Sequence, residues 1–298
     1  MKIGNYEYEL MDVSSILRIA LRSGCAQKYR NTLWGHNFTN NMEKVTERIG
    51  NLPLNYKQTP KFTFLVIPAG KEFQDFTGEI TTEGICNVPY SVDECSKSCL
   101  VIDENWFENF PETMDERLKV GITHEFAHMV HGEYFYQMVG IDEGFAEVFP
   151  HYLVSYDQQN QIHQQAIRNF SEKDFQTMDY LNQKGMFSLE NPHQKNTQEL
   201  KSYMSAYLWM LGYLKRVEKK LNKDKFAATN WILEKFAVVD EYKTKEEKYD
   251  AIAHFIGENA ADVFRTTKLH KEGKNYLLNE YYQNSVMIRN QSVQNIDR

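Results

Sequence analysis

The run His124-Glu125-Phe126-Ala127-His128 limits what this chain can become more than any other stretch. It lies inside a segment whose own pattern demands a helix. Thr113-Met114-Asp115-Glu116 is a capping box, a threonine followed three residues later by a glutamate. Leu118, Ile122, Phe126, Met129 and Val130 then recur at helical spacing, and Gly132 supplies a stop. Residues i and i+4 sit one above the other on a helix face. Two imidazoles so placed both reach one cation at the ~2.0–2.1 Å of zinc–nitrogen bonds. Glu125 points beside that ion, where it can take a proton from water. With 9 histidines in 298 residues, such a run arises by chance in roughly two of a hundred chains.

A histidine pair needs a third protein ligand, with the fourth position left for water. The segment Gly140-Ile141-Asp142-Glu143-Gly144-Phe145-Ala146-Glu147 offers it. Glu143 falls fifteen residues after His128, enough for the chain to turn and send a second helix back past the first. Glu147 lies one turn later on the same face. One of the two binds the ion and the other accepts the free ring N–H of a liganding histidine. Spacing does not decide which. Asp142 and His131 are lesser rivals, His131 because it stands at the helix end beside Gly132.

Together these segments resemble the gluzincins, zinc peptidases in which the His-Glu-x-x-His run precedes a helix carrying a glutamate ligand. Thermolysin and the alanyl aminopeptidases belong to that group. Glu143-Gly144-Phe145-Ala146 is similar to the Glu-Gly-x-x step of the aminopeptidases and of smaller peptidase-MA-like domains. The resemblance implies Glu143 as ligand, Glu147 as support for a histidine, and one Zn2+. It runs from about Phe62 to Leu221 and is strongest from Thr113 to Pro150. It also implies a downstream tyrosine that donates to the oxyanion. Tyr203, at the edge of a helical apolar stripe, is the candidate. Tyr207 is central on that stripe and reads as core, and His193 is a weaker alternative. The chain departs from the aminopeptidases in two ways. Only residues 1–60 precede the first strand, where they carry a large β-domain. Their Gly-x-Met-Glu-Asn substrate strand is absent; Gly84-Ile85-Cys86-Asn87 holds the comparable place, with Glu83 beside Gly84 as the acid to grip a substrate amine. Aminopeptidase and endopeptidase action both stay open.

Around this centre the pattern runs from strands to helices. Ser14–Arg22 and Asn40–Ile49 read as short helices, the second capped by Asn40 or Asn41 and stopped by Gly50. Lys61–Ile67 is β-branched and aromatic, closed by Pro68-Ala69-Gly70, and reads as a buried strand. Glu83–Tyr90 and Leu100–Asp103 are shorter strand candidates. A helix is expected from Asp142 toward Ser155, kinked or broken at Pro150. Another follows from an Asn196 cap, its core face marked by Leu200, Met204, Tyr207, Leu208, Leu211, Leu214, Val217 and Leu221. Ala227–Val238, Glu246–Phe255 and Ala260–Lys268 continue the helical half. The expected class is α+β: a thermolysin-like gluzincin domain with a small mixed sheet, the active-site helix and a mostly helical C-terminal half. The expected divisions are a helical extension at 1–60, a zinc-binding subdomain at 61–160, a helical subdomain at 161–290 and a disordered tail at 291–298.

A net charge of −7 argues against nucleic acid or an anionic membrane as partner. The N-terminus places Glu7 and Glu9 where a signal peptide needs an apolar run, and no stretch approaches the ~18 apolar residues that span a bilayer. Cys25, Cys86, Cys95 and Cys99 are too few for a disulfide framework, and Cys86, Cys95 and Cys99 lack a fourth ligand for a second metal. A reduced, cytoplasmic protein acting on a peptide is the expectation. The rival readings are an inert metal-binding interaction module and a zinc hydrolase of a non-peptide substrate.

Overall fold

The computed structural model describes residues 2–3, 6–12, 17–23, 33–55, 62–67, 85–88, 99–103, 116–131, 138–156, 165–184, 195–239 and 241–279. The chain divides into two compact units. One comprises Met1–Gly132 with Phe149–Tyr156, the other Glu133–Val148 with Asp157–Arg298. The class is α+β, with a mixed sheet in the first unit and helices throughout the second.

Among the described residues the sheet holds six strands: β1 (Lys2–Ile3), β2 (Tyr6–Asp12), β3 (Leu17–Arg22), β4 (Phe62–Ile67), β5 (Ile85–Val88) and β6 (Cys99–Asp103). Their spatial order is β1-β2-β3-β4-β6-β5. β3, β4 and β6 run parallel, while β2 and β5 are antiparallel to their neighbours. A parallel step needs a crossover. Helix α1 (Leu33–Gly50) provides it between β3 and β4, and it lies against β3. Parallel strands are covered on both faces, and β3 shows the result: Ile19, Ala20 and Leu21 are all buried.

That burial corrects the reading of Ser14–Arg22 as a helix, and with it the helical character expected of residues 1–60. A strand buried on both faces is a continuous apolar run, which periodicity cannot tell from a buried helix. β2, by contrast, alternates: Tyr8 is buried between the exposed Glu7 and Glu9. The second expected helix begins at Leu33 rather than Asn40. Asn41 is not its cap; it lies in the helix interior and its Nδ2 donates to the Asn37 carbonyl four residues back. β4, β5 and β6 occur where strands were expected. β5 is an outer strand of the sheet and lies against helix α2 (Glu116–His131).

The second unit is built on α5 (Lys195–Leu221), flanked by α3 (Val139–Val148), α4 (Met178–Lys184) and α6 (Lys225–Val239), with α7 (Lys245–Phe255), α8 (Ala260–Phe264) and α9 (residues 268–279) completing it. Trp209 and Tyr213 are buried at its centre, and each gives its polar hydrogen to a backbone carbonyl, Val263 at 2.8 Å and Ile252 at 2.9 Å. α5 and α9 touch through glycines: a Cβ on Gly212 would stand 2.2 Å from the Leu269 carbonyl oxygen, and one on Gly273 2.2 Å from that of Leu208. The expected Ala260–Lys268 helix is interrupted; α8 ends at Phe264 and α9 starts after a bend at 265–267. Among the described residues, no helix is long and apolar enough to cross a membrane. The tail at 291–298 lies outside the described residues.

Candidate metal centre

Helix α2 carries His124 and His128, each 9% exposed. Their Nε2 atoms are 3.2 Å apart and the two rings are inclined by 78°. Without an ion, one ring nitrogen donates to the other. With an ion, both can offer a lone pair to the same point. Two nitrogens bound tetrahedrally to one zinc at ~2.05 Å stand about 3.3 Å apart, so the observed spacing fits that geometry.

Glu143 comes from α3, and the chain folds there for local reasons. The Met138 carbonyl accepts from the N–H groups of Ile141 and Asp142, at 2.9 and 3.0 Å. The Gly140 N–H, which the first turn leaves without a helical acceptor, donates to Asn182 Oδ1 at 2.9 Å. Asn182 is itself fixed by Nδ2 donating to the Tyr249 hydroxyl at 2.9 Å. One turn on, Gly144 lets α3 press onto α5: a Cβ there would lie 2.5 Å from the Ala206 carbonyl oxygen. The residue before this contact is Glu143. One ligand atom from each of His124, His128 and Glu143 lies within 4.8 Å of the others. Two ligands bound tetrahedrally at ~2.1 Å from one ion stand about 3.4 Å apart, so rotation of the half-buried carboxylate has at most about 1.4 Å to close. The residues present therefore fit a divalent cation held by two nitrogens and one carboxylate oxygen.

The other expected site residues are placed as follows. Glu125 is half-buried on α2, next to His124. Glu147 is half-buried on α3, one turn beyond Glu143. Asp142, the lesser rival on α3, is also half-buried, and the cation-holding group includes Glu143 in its stead. Tyr203 is half-buried on α5, three residues before the Ala206 carbonyl that meets Gly144, and Tyr207 is core at 1% exposure. Glu83, Gly84, His193, Cys25 and Cys95 lie outside the described residues, as does the side chain of His131.

After Val148 the helix does not break at Pro150. It continues as a π-helical turn, Phe149–Val154. Proline has no N–H to give the Ala146 carbonyl, so the α-type ladder loses a rung there. The wider winding takes over, and Ser155 N–H reaches Pro150 O at 3.1 Å. Ser155 then adopts φ 64°, the left-handed conformation that ends helices. Arg48, near the end of α1, donates to the Val154 and Ser155 carbonyls at 2.9 and 3.3 Å. Its guanidinium also lies 4.8 Å from the centre of the Tyr156 ring. Tyr156 and Thr123 were not singled out by sequence, since nothing in their spacing marks them.

A Gly144→Ala variant is expected to cost on the order of 2 kcal/mol, because the added methyl meets backbone rather than a side chain that can turn aside. Urea denaturation of the metal-free protein measures the loss. A parallel metal titration should show weakened uptake, since α3 carries Glu143 away as it recoils.

No protein-family model matches the chain, and no curated protein matches it.

Proposed function

We propose that the protein is a zinc-dependent peptidase of the gluzincin type, hydrolysing a peptide bond at the centre formed by His124, His128 and Glu143. The observation that carries this reading is the convergence of those three side chains, with Glu125 next in sequence to His124 and outside the ligand set. A site that only stored metal does not need Glu125 as a ligand.

When bound, the ion supplies Lewis acidity, lowering the pKa of water from ~16 toward ~7 and polarising the substrate carbonyl. Glu125 takes one proton as water adds to the carbonyl carbon. It returns that proton to the amide nitrogen as the C–N bond breaks, and the second proton of the water follows to the same nitrogen, so the products are a carboxylate and an ammonium group. Tyr203 donates its hydroxyl hydrogen to the developing oxyanion. Glu147 accepts the second ring N–H of a liganding histidine and keeps the imidazole turned toward the ion. β5 is an outer strand lying against the helix that bears both histidines. An extended peptide can add to that edge through main-chain hydrogen bonds. Glu83 and Gly84, just ahead of β5, are the residues we assign to the substrate's amino end. Four scattered cysteines suit a reducing compartment, and we place the enzyme in the cytoplasm.

Two measurements test the proposal. The chain should take up one equivalent of zinc, and His124→Ala or Glu143→Ala should abolish that uptake at micromolar metal. A peptide library with free and blocked N-termini should then show cleavage that a chelator stops and zinc restores. Stoichiometric zinc with no cleavage of any peptide would leave only a binding module or a hydrolase of another substrate.

A further inference from the structure

We infer that Tyr156 is a positioning residue for the metal centre, acting through Thr123 on the helix that presents His124. The inference rests on the reading of His124, His128 and Glu143 as a cation site.

Thr123 is fully buried and immediately precedes His124. Its Oγ1 donates to the Lys119 carbonyl one turn back at 2.7 Å. A hydroxyl has one hydrogen, so that of Thr123 is committed. The Tyr156 hydroxyl lies 2.9 Å from the same Oγ1 and must therefore be the donor. Tyr156 is 2% exposed, so water does not replace this bond. The tyrosine is itself clamped. Arg48 covers its ring and grips the two carbonyls just before it, those of Val154 and Ser155.

The consequence lies in where the bond joins the chain. Tyr156 lies two residues beyond the π-helical turn Phe149–Val154, and that turn packs on α2. One hydrogen bond thus pins α2 to this segment at the residue before the first histidine. Two imidazoles one helical turn apart hold an ion only while the helix that carries them keeps its place and rotation. The Tyr156–Thr123 bond enforces both without touching the ion. Such supporting groups change metal affinity when removed, by about 10- to 100-fold when they bond a ligand directly. Tyr156 acts one residue further off, and about a fivefold effect is expected.

The test uses the full chain, stripped of metal, with Co(II) as probe. Affinity is measured by competition with a chelator, and geometry by the visible absorption of bound Co(II). Tyr156→Phe keeps the ring beneath Arg48 and removes only the hydroxyl. It should weaken Co(II) binding about fivefold and shift the absorption band. Thr123→Val should do the same, Thr123→Ser should restore wild-type behaviour, and the double variant Tyr156→Phe/Thr123→Val should be no worse than either single one. If Tyr156→Phe and Thr123→Val bind Co(II) with unchanged affinity and spectrum, the bond only stabilises the fold and the inference is overturned while the metal centre stands. If the wild-type chain takes up no Co(II), the metal centre itself fails and the inference falls with it. Should Tyr156→Phe not fold, the Thr123→Val and Thr123→Ser pair decides alone.

Discussion

Glu125→Gln is expected to lower turnover about 10²- to 10⁴-fold while metal uptake stays at the wild-type level. The two side chains have nearly the same shape, so packing along α2 is unchanged. What is lost is the capacity to accept a proton. Glu125 is not among the three residues whose ligand atoms converge, so the cation should bind as before. The loss should appear in kcat and equally in kcat/KM, because the interaction is made only as the reaction proceeds. Steady-state hydrolysis of a cleaved library peptide, with metal content measured on the same sample, is the check. A glutamine variant that hydrolyses at the wild-type rate would end the mechanism, whatever metal it held.

The second large effect concerns acid. His270 on α9 is fully buried and stacked on Phe175, with ring centres 5.6 Å apart. Burial pushes its pKa down to about 3, opposed in part by the Gln176 backbone carbonyl, an acceptor for the ring N–H. In the unfolded chain the same ring titrates near 6.5. Between those values the unfolded state binds the extra proton, so stability rises with pH across that window and is lost as pH falls from 6.5 toward 3. The full span is on the order of 4–5 kcal/mol, at ~1.4 kcal/mol per pH unit. A His270→Leu variant has no such group. The stability gap between wild type and variant should therefore shift in the variant's favour by about 2–3 kcal/mol from pH 7.5 to 4.5. Urea denaturation of both metal-free proteins at the two pH values measures it. Equal gaps at both pH values would show that the ring titrates in the folded chain as it does in the unfolded one.

The sequence disclosed the site better than the fold. Helical spacing put His124 and His128 on one face without any tertiary knowledge, and the structure has both on α2. That Glu143 joins them depends on a turn through residues whose conformation spacing does not dictate. The glycines at 140 and 144 that let α3 press onto α4 and α5 were visible only as letters. The strand at Leu17–Arg22 was mistaken because burial on both faces removes the alternation that marks a strand. In β2 the alternation Tyr6-Glu7-Tyr8-Glu9 is legible, but it spans only four residues. The start of α1 was hidden by Asn37, Thr39, Asn40 and Asn41, poor helix formers that nonetheless lie within the helix. Long helices with their own caps fared best. α7 begins on the Thr244–Glu247 capping box, where a one-residue earlier start is all that separates structure from expectation.

The π-helical turn at Phe149–Val154 carries one more consequence. Winding of that kind spends an extra residue on each turn, so this stretch behaves as though a single amino acid had been inserted into an ordinary helix. Deleting one residue within 149–154 would let α-winding resume through to the end of the rod. The five residues left, at ~100° each, turn through nearly the same angle as six in the wider winding, so everything beyond keeps its bearing and the aromatic ring still leans on Thr123. The spare residue is slack in the rod. A single-codon loss within 149–154 should therefore be absorbed, where the same loss in the α-wound part ahead of it, with no residue to give up, should not be.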